Sequence, residues 1–193
     1  MSEATRQPNP RAERAKQAIL EAARELITEK GVDGLTIEGV AARSGVAKTT
    51  IYRRWSDKEE LAVAILVDMT ENIVAPPDVG DTRKELLRFV RGAKTIVKPG
   101  GIVTGLASII ATNPQLGRIY REQIVDLRLQ ELKTVIDRGI TRGDLRPDTD
   151  VRIAHELLVG PLYYRLLFSG APLDTRHANA IVDAMLRSFA PVD

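Results

Sequence analysis

Apolar residues recur at intervals of three and four along almost the whole of this chain, and in no segment do they alternate strictly with polar ones. Alternation marks a half-buried strand, and three-four spacing marks a helix with one buried face. The spacing alone therefore restricts the chain to an all-α fold. Residues 12–30 carry Ala15, Ile19, Ala22, Ala23, Leu26 and Ile27 on one face and stop at Gly31. Thr36 is placed to cap a short helix over 37–44, with Glu38 in its first turn, and Gly45 supplies the left-handed residue that ends it. A third short helix, 48–54, starts without a good cap because Ala47 stands where Ser or Thr would serve better. Ser56 and Glu59 have capping-box spacing ahead of a fourth helix that reaches about Val74.

Pro76 and Pro77, within 75–80, cannot continue a helix and mark a joint between two modules. Thr82 and Glu85 again have capping-box spacing, before Leu86, Phe89, Val90, Ala93 and Val97, and Pro99, Gly100 and Gly101 break the chain. The apolar run 102–111 is too uniform for periodicity to separate helix from strand, and the lack of any strand partner favours a buried helix. Asn113 followed by Pro114 opens a long helix that Gly143 ends. Asp148 or Thr149 starts the next, with Pro161 inside it as a kink, and Asp174 caps the last, to about Phe189. The expectation is about nine helices in three parts: a flexible arm over 1–11, a module over 12–74 and a module over 75–193.

Composition narrows the function. The absence of cysteine among 193 residues excludes a disulfide framework, a thiolate metal site and a cysteine nucleophile. A polar, proline-bearing start and the lack of a long apolar stretch predict a cytoplasmic protein with no membrane span. Two histidines, His155 and His177, with no His-x-x-x-His pair, no Gly-x-Ser-x-Gly elbow and no phosphate-cradling loop, predict no metal, no cofactor and no enzyme. The net charge is only +2, which rules out a coat basic throughout. Its distribution is uneven: residues 39–58 hold Arg43, Lys48, Arg53, Arg54 and Lys58 against Asp57 alone.

That basic window coincides with the most informative block, TIEGVAARSGVAKTTIYRRW over 36–55. Two short helices joined by a glycine turn match a helix-turn-helix, with Ala41 small at the crossing, Gly45 in the turn, and Val40, Val46 and Ile51 as apolar anchors. The run GVAKTTIYRRWSDKEEL, 45–61, resembles the signature of the TetR family of bacterial transcriptional regulators. The later GDLRPDTD, GPLYYRLL and SGAPLD resemble one actinobacterial-type subgroup of its C-terminal domains.

The resemblance implies a homodimer that places two helix-turn-helix heads on a palindromic duplex operator, with a cavity for a small, largely apolar ligand in each C-terminal domain. Thr36 matches a phosphate-contacting position at a helix N-terminus. Lys48, Thr49 and Arg53 match positions facing the major groove, and Thr50, Tyr52 and Lys58 match phosphate-contacting positions. Arg43 stands where second-helix side chains approach the duplex. Arg53 and Arg54 replace the usual Tyr-His pair and Trp55 the usual Phe, so base preference does not transfer. Trp55 reads as a core anchor and Tyr52 as a DNA contact. Arg6 and Arg11 on the arm are candidates for a minor groove, or an inert tail.

In the second module Phe89, Ile109, Tyr120, His155, Tyr163 and Phe168 either line a ligand pocket or fill a core. Leu157, Leu166, Ala180, Ile181, Ala184, Met185 and Phe189 suit a four-helix seam between two copies. Ligand bound between the fourth and eighth helices would move the fourth and spoil the spacing of the two heads. The favoured reading is a ligand-released homodimeric repressor; the alternatives are a small helical enzyme with no DNA role, and an activator or ligand-independent regulator.

Overall fold

In the computed structural model the described residues are 10–70, 74–96 and 102–191. Arg6, Ile73, Val97, Pro99, Gly100 and Gly101 lie outside them. Among the described residues there are nine helices and no strand. They are α1 (Pro10–Lys30), α2 (Ile37–Ser44), α3 (Lys48–Tyr52), α4 (Lys58–Thr70), α5 (Thr82–Ile96), α6 (Ile102–Thr112), α7 (114–142), α8 (151–169) and α9 (Thr175–Ser188). Both α7 and α8 contain one wider π-helical turn, at Arg121–Val125 and Arg165–Ser169.

The ends of these helices follow local chemistry. Thr36 accepts a hydrogen bond from the Gly39 N–H at 3.1 Å, and Gly45 closes α2 at φ 69°. Asn113 accepts from the N–H groups of Gln115 and Leu116, with Pro114 at the first helical position. Asp174 caps α9 through the His177 N–H at 2.7 Å. Three expected caps move by a residue or two, each time onto an aspartate. Asp57, not Ser56, accepts from the Glu60 N–H at 2.7 Å, and Glu60, not Glu59, reaches back to the Ser56 N–H. Asp81, not Thr82, accepts from Lys84, and Asp150, not Asp148 or Thr149, caps α8. A carboxylate answers the positive helix N-terminus with a full charge where a hydroxyl offers only a dipole. Helix α3 is shorter than expected because Arg54 and Trp55 both close a turn on the Ile51 carbonyl. Arg11, expected on a flexible arm, sits in the first turn of α1.

Two hydrophobic cores organise the chain. The first holds Ile19, Leu20, Leu26, Val40, Ile51, Trp55, Leu61 and Leu66 of α1 to α4, and continues into Ile102, Val103 and Leu106 of α6 and Leu116 and Ile124 of α7. The four-helix head is thus seated, through α4, on α6 and on the first half of α7. Gly105 of α6 lies so near the loop after α1 that a Cβ there would stand 2.5 Å from Val32 Cβ. The second core packs Leu86, Phe89 and Val90 of α5 against Leu132, Val135 and Ile136 of α7, Leu158 and Leu162 of α8, and Ile181, Val182 and Met185 of α9. Among the described residues helix α7 alone supplies buried residues to both cores, and its π turn falls at the change from one to the other.

Candidate nucleic-acid interface and internal cavity

Five residues of α3 have to satisfy both a core and a surface. Ile51 has no exposed area and pins the helix to the first core, so Lys48, Thr49 and Tyr52 emerge on the outer side, together with Arg53 in the following turn. Tyr52 keeps 49% of its surface exposed. Trp55, 5% exposed, is a core anchor, and the Arg54 guanidinium lies 5.6 Å over its ring. Thr50 is half-buried and lines an open groove of about 520 Å³ with Arg11, Ala12, Ala15, Lys16, Ile19, Arg53 and Arg54. The start of α1 therefore adds Arg11 and Lys16 to the basic face. Lys16 was not anticipated, although its place one turn before the buried Ile19 was open to reading. Thr36 is exposed at the N-terminus of α2, and Lys58 is half-buried at the start of α4.

Two of the expected cations are engaged within the head. Arg43 donates to both carboxylate oxygens of Glu29, at 2.8 and 2.9 Å, and to Glu25 at 3.4 Å, so it runs back along α1. Lys48 donates to Glu38 at 2.8 Å. Both glutamates are held below the usual carboxylate range by these hydrogen bonds. Arg53 and Arg54, in the turn that follows α3, are both exposed, and an arginine fork there can bridge guanine O6 and N7 or a phosphate.

Behind the head, α5, α7 and α8 line a partly open cavity of about 40 Å³ walled by Ala93, Tyr120, Ile124, Val125, Arg128, His155, Val159 and Tyr163. The Tyr120 and Tyr163 hydroxyls lie 2.8 Å apart. Arg128 is buried, donates to Glu131 and, at 3.2 Å, to the Phe89 carbonyl, and lies 4.5 Å over the Phe89 ring. His155 meets that ring edge-on at 6.1 Å between centroids. Burial, and then the Arg128 charge, push the His155 pKa down to about 4. Burial lifts Glu131 to about 7 against the pull of Arg128, and raises both tyrosines.

Of the six residues expected at a pocket, Tyr120, His155 and Tyr163 are brought together and Phe89 stands directly behind them. Ile109 packs instead against the first core. Phe168 is 77% exposed and faces away. By helical period it belongs with Ile153, Leu157 and Tyr164, an exposed apolar stripe on the outer side of α8. Arg128 and Glu131 were missed, and the signal was present: they fall at core-facing positions between Ile124, Leu132 and Val135. The residues expected at a seam between copies divide between the chain's own core and its surface. Ile181, Met185 and Phe189 are buried in the chain's own second core and Leu166 packs against it, leaving Leu157, Ala180 and Ala184 exposed.

No described helix is long and apolar enough to cross a membrane. The model of bacterial regulatory proteins of the tetR family matches residues 19–65, and that of the tetracyclin repressor-like C-terminal domain matches 76–185. The chain is 28% identical over 175 residues to an uncharacterized helix-turn-helix-type transcriptional regulator, YdeS, of Bacillus subtilis, covering 90% of this chain and 88% of that one. It is 28% identical over 184 residues to the DNA-binding transcriptional repressor TetR of Mycobacteroides abscessus, covering 91% and 94%. The crystal structure of the TetR family transcription regulator SCO0332 superposes with a TM-score of 0.76 at 33% identity, over 92% of this chain and 99% of that one. With its head, its body and its overall superposition all matched, the chain belongs to the TetR family and is a helix-turn-helix transcriptional regulator.

Proposed function

We propose that this regulator is a cytoplasmic, non-enzymatic repressor that binds a palindromic operator as a homodimer and leaves it when a small molecule occupies the cavity between α5, α7 and α8. The division into a reading head, 12–74, and an effector and dimerisation body, 75–193, belongs to the same proposal. The observation that carries it is the pairing of an outward-facing α3 with a head seated on α7, the helix that also walls the cavity. In this reading Arg53, Thr49 and Lys48 address base edges, while Thr36, Thr50, Tyr52, Arg54 and Lys58 set the register on phosphates. The exposed stripe of Ile153, Leu157, Tyr164, Leu167 and Phe168, beside Ala180 and Ala184, supplies the contact between copies.

The test is selection of duplexes from random sequence, followed by binding at several salt concentrations to the selected palindrome and to a scrambled duplex. The parent should prefer the palindrome by at least about a thousandfold. Replacing both Tyr52 and Arg53 by alanine should remove that preference and leave folding and dimerisation intact. Equal binding of the double variant, or equal affinity for every duplex, would sink the assignment of α3.

A further inference from the structure

The chemistry of the cavity wall says more than that something fits there. Four of its eight residues are polar, Arg128, His155, Tyr120 and Tyr163, and each brings a hydrogen-bond donor. No acidic side chain is among the wall residues. The nearest carboxylate, Glu131, sits on α7 one turn beyond Arg128 and is held to it from outside the wall. The other four residues, Ala93, Ile124, Val125 and Val159, are apolar. Burying an arginine and a glutamate together stabilises a fold no better than apolar side chains of the same size. The pair at Arg128 therefore asks for a reason other than stability. Its geometry offers one: the guanidinium is held over the Phe89 ring and fixed by the Phe89 carbonyl, so that a desolvated cation is aimed before any ligand arrives.

We infer that the effector of this regulator is a small, largely apolar molecule bearing a single carboxylate, which pairs with Arg128 and accepts from the phenols of Tyr120 and Tyr163 and from the neutral imidazole of His155. The inference rests on the proposed effector role of the cavity and adds the ligand class to it. A carboxylate at Arg128 takes the place of Glu131, and burial already favours the proton on Glu131 that releases it. The titratable groups facing that exchange are Arg128 and Tyr120 on α7 itself and His155 and Tyr163 on α8; α5 presents the Phe89 carbonyl and ring, with Ala93 in the wall. The present volume of about 40 Å³ has room for a few waters. A single ring or short chain must therefore widen it, and the wall best able to yield is Ile124 and Val125 in the π turn. Ile119 and Gln123, on or beside that turn, line a groove with Trp55, the chain's one tryptophan, so widening reaches a reporter in the head.

The experiment uses the full chain and three matched pairs of probes: benzoate, 3-phenylpropionate and hexanoate, each beside its neutral amide. Binding is followed by calorimetry and by Trp55 fluorescence. The acids should bind at least about tenfold more tightly than their amides and shift the tryptophan emission. Arg128→Gln should abolish that preference. Glu131→Gln should tighten the acids severalfold and remove the gain in their affinity between pH 8 and pH 6. The double variant Arg128→Gln with Glu131→Gln leaves no lone buried charge, so it separates lost recognition from lost folding. Val159→Phe, which fills the cavity, should block every probe. Amides that bind as tightly as acids and are blocked by Val159→Phe overturn the carboxylate class while the cavity stands. Acids that bind Val159→Phe unchanged overturn both. No binding of any acid at millimolar concentration overturns the inference.

Discussion

Replacing Glu85 by alanine should be among the most damaging single changes of a charged residue in this protein. Glu85 has no exposed surface on α5, and its carboxylate gathers three donors from other segments. One oxygen accepts from the Val79 N–H at 3.1 Å and from Arg142 at 2.9 Å, the other from Arg138 at 3.2 Å. Arg138 also holds the Pro76 carbonyl at 2.7 Å, so the carboxylate fastens the joint at 76–80 to the far end of α7. Removing one member of a buried ionic cluster costs about 3–5 kcal/mol when its partners stay dry. Here the Arg138 and Arg142 side chains keep 27% and 20% exposure and Asp78 remains beside both, so they recover some hydration. The loss expected for Glu85→Ala is accordingly about 3 kcal/mol, which for a chain of this length lowers Tm by roughly 6–12 °C. Glu85→Gln keeps an acceptor for Val79 and should lose about half as much. Circular dichroism melts give the Tm values, and hydrogen exchange at the Val79 and Gly80 amides reads the joint directly. A fall in Tm below about 3 °C with unchanged exchange at Val79 would refute the clamp.

Three further outcomes follow from particular side chains. Glu131 has its folded pKa raised from 4.5 to about 7, so its contribution to stability is full below pH 4.5 and is lost as pH rises through 7; His155, lowered from 6.5 to about 4, contributes above pH 6.5 and loses that contribution as pH falls through 4. The two slopes oppose each other by up to about 3 kcal/mol each, so denaturation series should show Glu131→Gln gaining stability from pH 4.5 to 6.5 and His155→Asn losing it over the same range; parallel slopes would contradict the assignment. Because Arg43 is turned onto Glu29, Arg43→Ala should leave the salt dependence of operator binding unchanged, whereas Arg54→Ala should reduce its slope by about one. Tyr164→Ser with Phe168→Ser should shift the chain to monomer in sedimentation at unchanged Tm, since their rings, 5.9 Å apart, lie outside both cores.

Where the chain's own local chemistry decides, sequence reading was reliable. Thr36, Gly45, Asn113, Gly143 and Asp174 each act within four residues of themselves, and all five end or start helices where their side chains or backbone freedom require. Tertiary demands were less legible. Glu85 reads as half of a capping box until Arg138 and Arg142, more than fifty residues away, draw it inward. An apolar stripe such as Ile181, Met185 and Phe189 declares that it is buried, yet the partner that buries it is a matter of packing, and here the chain's own α5 and α8 reach it first. The reading helix was legible because anchor and surface residues alternate within a few positions of Ile51. The cavity was only half legible, since apolar walls look like any core and a charged residue at a core-facing position, as Arg128 and Glu131 are, does not by itself say what it faces.

The two halves of α7 are held by different neighbours, and this decides where the helix can change. Its first half lies in the first core, which α1 and α4 stiffen through the Arg24 to Asp68 pair at 2.5 Å and α6 closes through the tight approach of Gly105 to Val32. Its second half is packed into the second core and fastened to the joint by Arg138 and Arg142. Between them, Arg121–Val125 carries the wider π hydrogen bonding, with the Asp126 N–H on the Arg121 carbonyl. Recasting such a turn as α-helix shifts one side of it by one residue, about 1.5 Å along the axis and roughly 100° around it. Shifts of that kind are absorbed by neither core without repacking, so they favour one register or the other and do not grade between them. Under the proposed function, a ligand that selects one register at Ile124 and Val125 would move the head as a unit on Leu116, and no deformation within the head would be needed to spoil its fit to DNA.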